Sequence, residues 1–201
     1  MKKIKYTAVI VLLVLLSGCS ALKTLDNITN LQFKIDSISD FEVQDIKLGD
    51  KNQLGDFSPT EILRLIPAFT SGSLATSFNL NLLVKNPNAT DNSTNSLKLD
   101  IVSFPWELHF NNKKIIGGNI AEPISLTGIG KEEKLALRID LNLFDLLSGN
   151  SLNELLSTTL QVGGKNSSTK NISIYAKPVI VTIIGNISYP EQIKIVDYEY
   201  R

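Results

Sequence analysis

The chain has one cysteine, one histidine, one tryptophan and one methionine in 201 residues, and each scarcity excludes something. A single cysteine, Cys19, rules out any disulfide within the chain. With His109 as the only histidine, zinc and haem sites built from several cysteine and histidine ligands are excluded too, so the sequence calls for no cofactor. Positive charge is not in excess: 20 basic residues meet 20 acidic ones, and taking away Lys2, Lys3 and Lys5 leaves 17 against 20, a net of −3. Phosphate binding needs a clustered positive face, so nucleic acid is not an expected partner. The longest apolar run, residues 7–16, is half of the roughly twenty residues that a membrane-spanning helix requires. What remains must fold by burial and backbone pairing alone.

What is present is alternation. Leu74, Thr76, Phe78, Leu80, Leu82 and Val84 share one parity over residues 74–85, the period of a half-buried strand, and the run stops at Asn86-Pro87-Asn88. Proline lacks a ladder donor and asparagine accepts turn conformations, so a long central strand ends there in a reversal. Further alternations run through Leu31, Phe33 and Ile35, then with a shift of phase through Phe41 and Val43. Others occupy Leu97 to Ile101, Phe104 to Phe110, Leu135 to Leu141, Ile172 and Ile174, Val179 to Ile183, and Ile193 with Ile195, Tyr198 and Tyr200. Pro105 would remove a ladder bond from a central strand, which places its strand at an edge or at a bulge. Asn111-Asn112-Lys113 reads as a hairpin turn.

Two segments break the pattern with a helical period. Ser58-Pro59-Thr60-Glu61 has the form of a capping box, and Ile62, Leu65, Ile66 and Phe69 follow as one core-facing stripe. Ser151-Leu152-Asn153-Glu154 repeats the form ahead of Leu155, Leu156 and Leu160. Seven to nine short strands, turns every 8–12 residues and two short helices make a mainly β chain, an antiparallel β-sandwich of immunoglobulin or fibronectin III type.

The N-terminus is organised differently. Lys2, Lys3 and Lys5 precede the apolar run, which ends at Leu16-Ser17-Gly18-Cys19. This resembles the lipobox of bacterial lipoproteins, which implies cleavage before Cys19, lipidation of that cysteine and attachment to the membrane through the lipid. Residues 1–18 are then the signal peptide, residues 19–30 a polar tether, and residues 31–201 a single domain. Ser20, where an aspartate would favour inner-membrane retention, points to the outer membrane of a bacterial envelope. Asn-X-Ser/Thr triplets begin at Asn27, Asn88, Asn92, Asn166, Asn171 and Asn186, but in a bacterium most such triplets carry nothing.

A strand running into Asn86-Pro87-Asn88, then a hydrophobic alternation, a turn at Asn111-Asn112-Lys113, Gly117-Gly118, and a further hairpin after Gly128-Ile129-Gly130 together resemble the WHy domain of late-embryogenesis-abundant (LEA) type 2 proteins over roughly residues 70–190. The resemblance implies a non-enzymatic protein of desiccation or stress tolerance that keeps client proteins soluble. The other reading is an envelope adaptor that binds a protein, glycan or lipid through an exposed sheet edge or the loop beginning at Asn86, Pro87 and Asn88. Enzymes are disfavoured: His109 falls on the solvent face of its strand, Trp106 on the core face, and no Gly-X-Ser-X-Gly elbow is present.

Overall fold

The computed structural model describes residues 31–85, 99–126, 132–146, 151–166, 168–182, 185–197 and 199–200. The chain enters as β1 (Gln32–Val43) and continues through the short β2 (Ile46–Lys47), a 3-10 turn (Leu54–Asp56) and helix α1 (Pro59–Thr70) into β3 (Ala75–Lys85). Then come β4 (Leu99–Ser103), β5 (Trp106–Phe110), β6 (Lys113–Gly118), β7 (Ile124–Leu126) and β8 (Glu132–Asn142). Helices α2 (Leu143–Leu146) and α3 (Leu152–Gly163) lead to β9 (Ile172–Ala176), β10 (Val179–Thr182), β11 (Gly185–Ser188) and β12 (Ile193–Ile195). The chain is mainly β and every described strand pair is antiparallel, as its alternations require.

One layer has the order β2-β1-β3-β8. β3 lies inside it, with Leu74, Thr76, Phe78, Leu80, Leu82 and Val84 all buried, so the parity read from sequence is the parity of the core. β1 is one strand, with register shifts at Ile35/Ser37 and Ser39/Glu42 and a positive φ at Asp40; the change of hydrophobic phase is a pair of bulges.

The other layer is two four-stranded sheets, β6-β5-β9-β12 and β7-β4-β10-β11. β4 runs into β5 and β9 into β10, and the partners match across the break: Ser103 faces Val179 and Trp106 faces Ala176. Phe104-Pro105 thus stands opposite Lys177-Pro178. Two prolines on facing strands each withhold a donor, and the ladder is held there by one bond, the Lys177 N–H to the Pro105 carbonyl at 3.0 Å. Pro105 is therefore not on an edge strand; it sits where an inner pair of strands breaks, beside a register shift in the β4/β10 pairing. The phase read for Val179, Val181 and Ile183 is also corrected. Buried Ile172, Ile174, Ala176 and Ile180 keep the even parity through the break, while Val179 and Val181 are half-buried and Ile183 lies outside the described residues.

The layers meet over Phe33 and Phe104, whose rings are 5.5 Å apart, and over Ile101, Leu108, Ile174 and Leu80. The β5/β6 turn is a two-residue hairpin with Asn111 and Asn112 both at positive φ, the geometry whose twist suits the flanking strands. Helix α3 is seated on β1 so closely that a Cβ on Gly163 would lie 2.1 Å from Cγ of Phe41. Among the described residues no helix is long and apolar enough to cross a membrane.

Candidate functional site: an exposed helix face and an open cleft

Helix α1 begins as its sequence dictates. The Ser58 hydroxyl accepts from the Glu61 N–H at 3.3 Å, and the Glu61 carboxylate accepts from the Ser58 N–H at 2.7 Å, which closes the capping box. That backbone bond, with Lys51 beside it at 3.1 Å, holds the Glu61 carboxyl below its ordinary range. Gly72, at a φ of +69°, takes the left-handed conformation that ends the helix. The expected core stripe is only half realised. Leu65 is fully buried and Ile62 and Phe69 partly so, but Ile66 is 46% exposed, and Leu63, one turn before it, is 68% exposed. The stripe is narrower than its residues suggest: α1 meets the body through Glu61 against Lys51 at 3.1 Å, through buried Leu65 and through the Phe69 ring against that of Phe144 at 5.6 Å, and Ile66 falls outside that line. Leu63 and Ile66 form a second apolar row pointing away from the core. The sequence carries the signal, since Ile62, Leu63, Leu65 and Ile66 span more arc than one buried face uses.

A cleft of about 550 Å³ runs along the other flank of the molecule. Its walls are β8, from Lys134 to Arg138 with Asp140, and residues 119–124, which join β6 to β7. Asn119 pins the second wall to the proline break: its Oδ1 accepts from the Phe104 N–H at 2.6 Å and its amide donates to the Ser103 hydroxyl at 2.9 Å. Trp106 also lines the cleft. Its ring is 6% exposed and its indole N–H has no hydrogen-bond partner among the described residues. Gly118 lies against that ring, where a Cβ would be 2.7 Å from Cζ2. Trp106 is thus a core residue, as its parity implies, with one face turned to a cleft that no motif announces.

His109 is on the outer face of β5, half-buried beneath the Tyr175 ring with centroids 4.4 Å apart. Glu107 is its polar neighbour at 3.4 Å, and the same carboxylate takes the Lys114 ammonium at 2.7 Å. The bond from Lys114, and then that to His109, hold the Glu107 carboxyl below its usual range. No serine or threonine hydroxyl is bonded to this histidine among the described contacts. Burial pushes the Tyr189 phenol well above its ordinary value, and the Tyr200 phenol is pushed up to about 12 by burial and by Glu132. Among the described residues no three histidine, cysteine, aspartate or glutamate side chains gather as a metal site. Cys19 and the Asn86-Pro87-Asn88 turn lie outside the described residues.

No family model matches the chain, and no curated protein matches it. Solved structures similar to it include a protein from Archaeoglobus fulgidus, 13% identical, covering 80% of this chain and 94% of that one with a TM-score of 0.35. Another is the solution structure of a candidate late embryogenesis abundant (LEA) protein, 16% identical, covering 95% of this chain and 84% of that one, again with a TM-score of 0.35. The chain is distantly similar in structure to an LEA-type protein.

Proposed function

We propose that the chain is a non-enzymatic lipoprotein of the bacterial envelope, held in the outer membrane through a lipid on Cys19, whose LEA type 2-like sandwich keeps client proteins soluble during desiccation or other stress. The observation that carries it is the outward apolar row of Leu63 and Ile66 on α1. Isolated exposed apolar residues are ordinary, but two on successive turns of one capped helix form a contact strip for other proteins. Topology puts α1 where β1 ends and β3 begins, at the opposite end of the first layer from Leu31, where the tether joins. His109 has a carboxylate and an aromatic ring for neighbours, which supports the non-enzymatic reading.

The second reading, an adaptor for one fixed partner, draws support from the cleft beside Trp106, because an open, mostly apolar cleft with a few charged groups at Glu122, Lys134, Arg138 and Asp140 suits a specific ligand. A dose-response assay separates them. The chain from Ser20 onward is dried and heated with a labile enzyme, against an equal mass of an unrelated β-sandwich and against a Leu63→Ser/Ile66→Ser variant. Protection above the unrelated sandwich at substoichiometric ratios, reduced in the variant, is the expected result. Equality with the unrelated sandwich refutes general protection and leaves the adaptor.

A further inference from the structure

Among the described strands, β8 is unlike every other edge. The edge strands β2, β6, β7, β11 and β12 are six residues or shorter. β8 closes its layer with eleven residues, paired to β3 from Ala75↔Asn142 to Lys85↔Glu132 without a register shift. It contains no proline and no glycine; of its inward side chains Leu135, Leu137 and Ile139 are buried and apolar, while Glu133, on the same parity, is a half-buried charge. Proteins blunt their edges by shortening them, bulging them, inserting proline, charging them or turning a charge inward, because an open edge is a template for another strand. β8 is neither short, bulged nor broken by proline, and its protection is charge alone. The cleft runs along residues 134–138 and is lined there by side chains of both faces of the strand, Lys134, Ala136 and Arg138 with Leu135 and Leu137.

The outward side chains say which strand. They read Glu132, Lys134, Ala136, Arg138 and Asp140, all exposed. Antiparallel pairing of β8 with itself about a twofold axis keeps the buried face continuous only when the axis falls on a residue, since a slip by one turns every side chain to the other face. An axis at Ala136 sets Lys134 against Arg138 and Glu132 against Asp140, repulsive on both counts. An axis at Arg138 sets that residue against its own copy. Axes at Leu135 and Ile139 also bring opposite charges together, Glu132 against Arg138 and Arg138 against Asp140, but they overlap only residues 132–138 and 136–142. An axis at Leu137 pairs the whole of 132–142, with Lys134 against Asp140 twice, Ala136 against Arg138 twice, and Leu135 against Ile139 and Glu133 against Leu141 along the inner face. Opposite charges directly across a strand pair are stabilising and like charges are not. We infer that β8 pairs with β8 of a second copy about Leu137, joining the first layers of two sandwiches into one eight-stranded sheet. The interface is isologous, as a closed dimer requires.

The existing neighbours of these charges do not compete. Lys134 reaches Asp36 at 3.5 Å and Arg138 reaches Asp140 at 3.3 Å, both exposed pairs of small worth. The dimer does not depend on what the sandwich binds, so it stands or falls separately from the client reading.

Native mass spectrometry of the full chain released from mild detergent is the test, on the wild type, Lys134→Asp, Asp140→Lys and the double exchange. The wild type is expected to show a dimer of the 22.1 kDa chain. Either single reversal faces like charges at both ends of the ladder and raises the dissociation constant about tenfold or more, while the double exchange restores the pairing. Association through the apolar leader or a lipid is blind to residues 134 and 140. A monomeric wild type, or four proteins with equal dimer fractions, overturns the inference.

Discussion

Replacing Gly163 with alanine tests how the second capped helix is held. Gly163 is the last residue of α3 and faces β1, where an added Cβ would stand 2.1 Å from Cγ, 2.3 Å from Cδ2 and 2.7 Å from Cβ of Phe41. Ordinary contacts begin at 3.4 Å, so helix and strand must part by more than an ångström. The obstructing atoms are the root of the phenylalanine side chain, which cannot swing aside as a flexible tip would. Its ring is also stacked on Phe78, with centroids 4.9 Å apart and planes 2° from parallel. Overpacking of this kind costs about 3 kcal/mol. Exchange of glycine for alanine returns at most about 1 kcal/mol of helix propensity, less at a terminus. The net loss is about 2 kcal/mol, which moves a urea midpoint down by about 1 M. The only tryptophan is the buried Trp106, so its fluorescence reports the transition without labelling. In a double-mutant cycle Phe41→Ala alone costs about 3–5 kcal/mol, and the pair is expected to fall short of additivity by about 1 kcal/mol. An unchanged midpoint for Gly163→Ala, or strict additivity, would show that α3 does not rest on β1 as described.

Loss of the α1 cap through Ser58→Ala is expected to cost about 1 kcal/mol in the same denaturation experiment, and a loss near zero refutes the capping role. Glu61 titrates with a depressed folded-state pKa, so its contribution is present above the unfolded value of about 4.3 and disappears as pH falls through the folded one. Glu61→Gln should therefore lower stability at neutral pH and flatten its decline in acid, the two curves converging at low pH; parallel curves contradict this. Leu65→Ala, at a fully buried position of α1, is expected to lose about 2–5 kcal/mol, whereas Leu63→Ser in the outward row should change the unfolding free energy by no more than about 0.5 kcal/mol.

The features that were legible in the sequence are those set by neighbours in sequence. The parity of β3, the cap at Ser58 and the hairpin at Asn111-Asn112 each follow from a local rule, and the structure keeps them. The misreadings have one origin, which is that a residue's surroundings across the chain are not in its own segment. Of the two places that Pro105 allows, an edge or a bulge, the structure takes the second, beside the register shift of β4 and β10, and nothing next to Pro105 shows that Lys177-Pro178 will stand opposite and share the break. All four residues of β10 are β-branched, so propensity does not choose its face, and Ile180 faces inward because the strand keeps the parity of Ile174 across the proline. Ile66 satisfies the helical stripe and is nevertheless exposed, since α1 meets the body along the line of Glu61, Leu65 and Phe69. The cleft is the extreme case: no motif in β8 or in residues 119–124 announces it, and it depends on the bond of Asn119 to the proline break and on the pairing of Ile124 with Ile101, both distant in sequence.

The two proposals constrain each other in space. A twofold axis through an antiparallel β8 pair stands perpendicular to the sheet, so the two copies point in opposite directions along their strands. Under the proposed anchoring, a tether would join each copy at Leu31, with α1 at the far end of β1, whose twelve residues span about 40 Å. A tether of twelve residues, 19–30, would reach at most about 40 Å when fully extended. Two such lipids in one membrane would then enter without stretching either tether only when the axis lies along the membrane normal and the joined sheet lies flat. Both α1 helices then sit at the lateral ends of the dimer, at equal height, and two client strips are offered at once, which raises the effective concentration of the second contact. Depth-dependent quenching by spin-labelled lipid tests this with one dye at Ala75 and one at Lys85, the two ends of β3. Equal quenching is expected for the lipidated dimer. A depth difference approaching the length of β3, about 35 Å for its eleven residues, would mean that the sandwich stands upright, and the β8 pair could then form between two copies anchored in the same membrane only with one tether drawn out to its full reach.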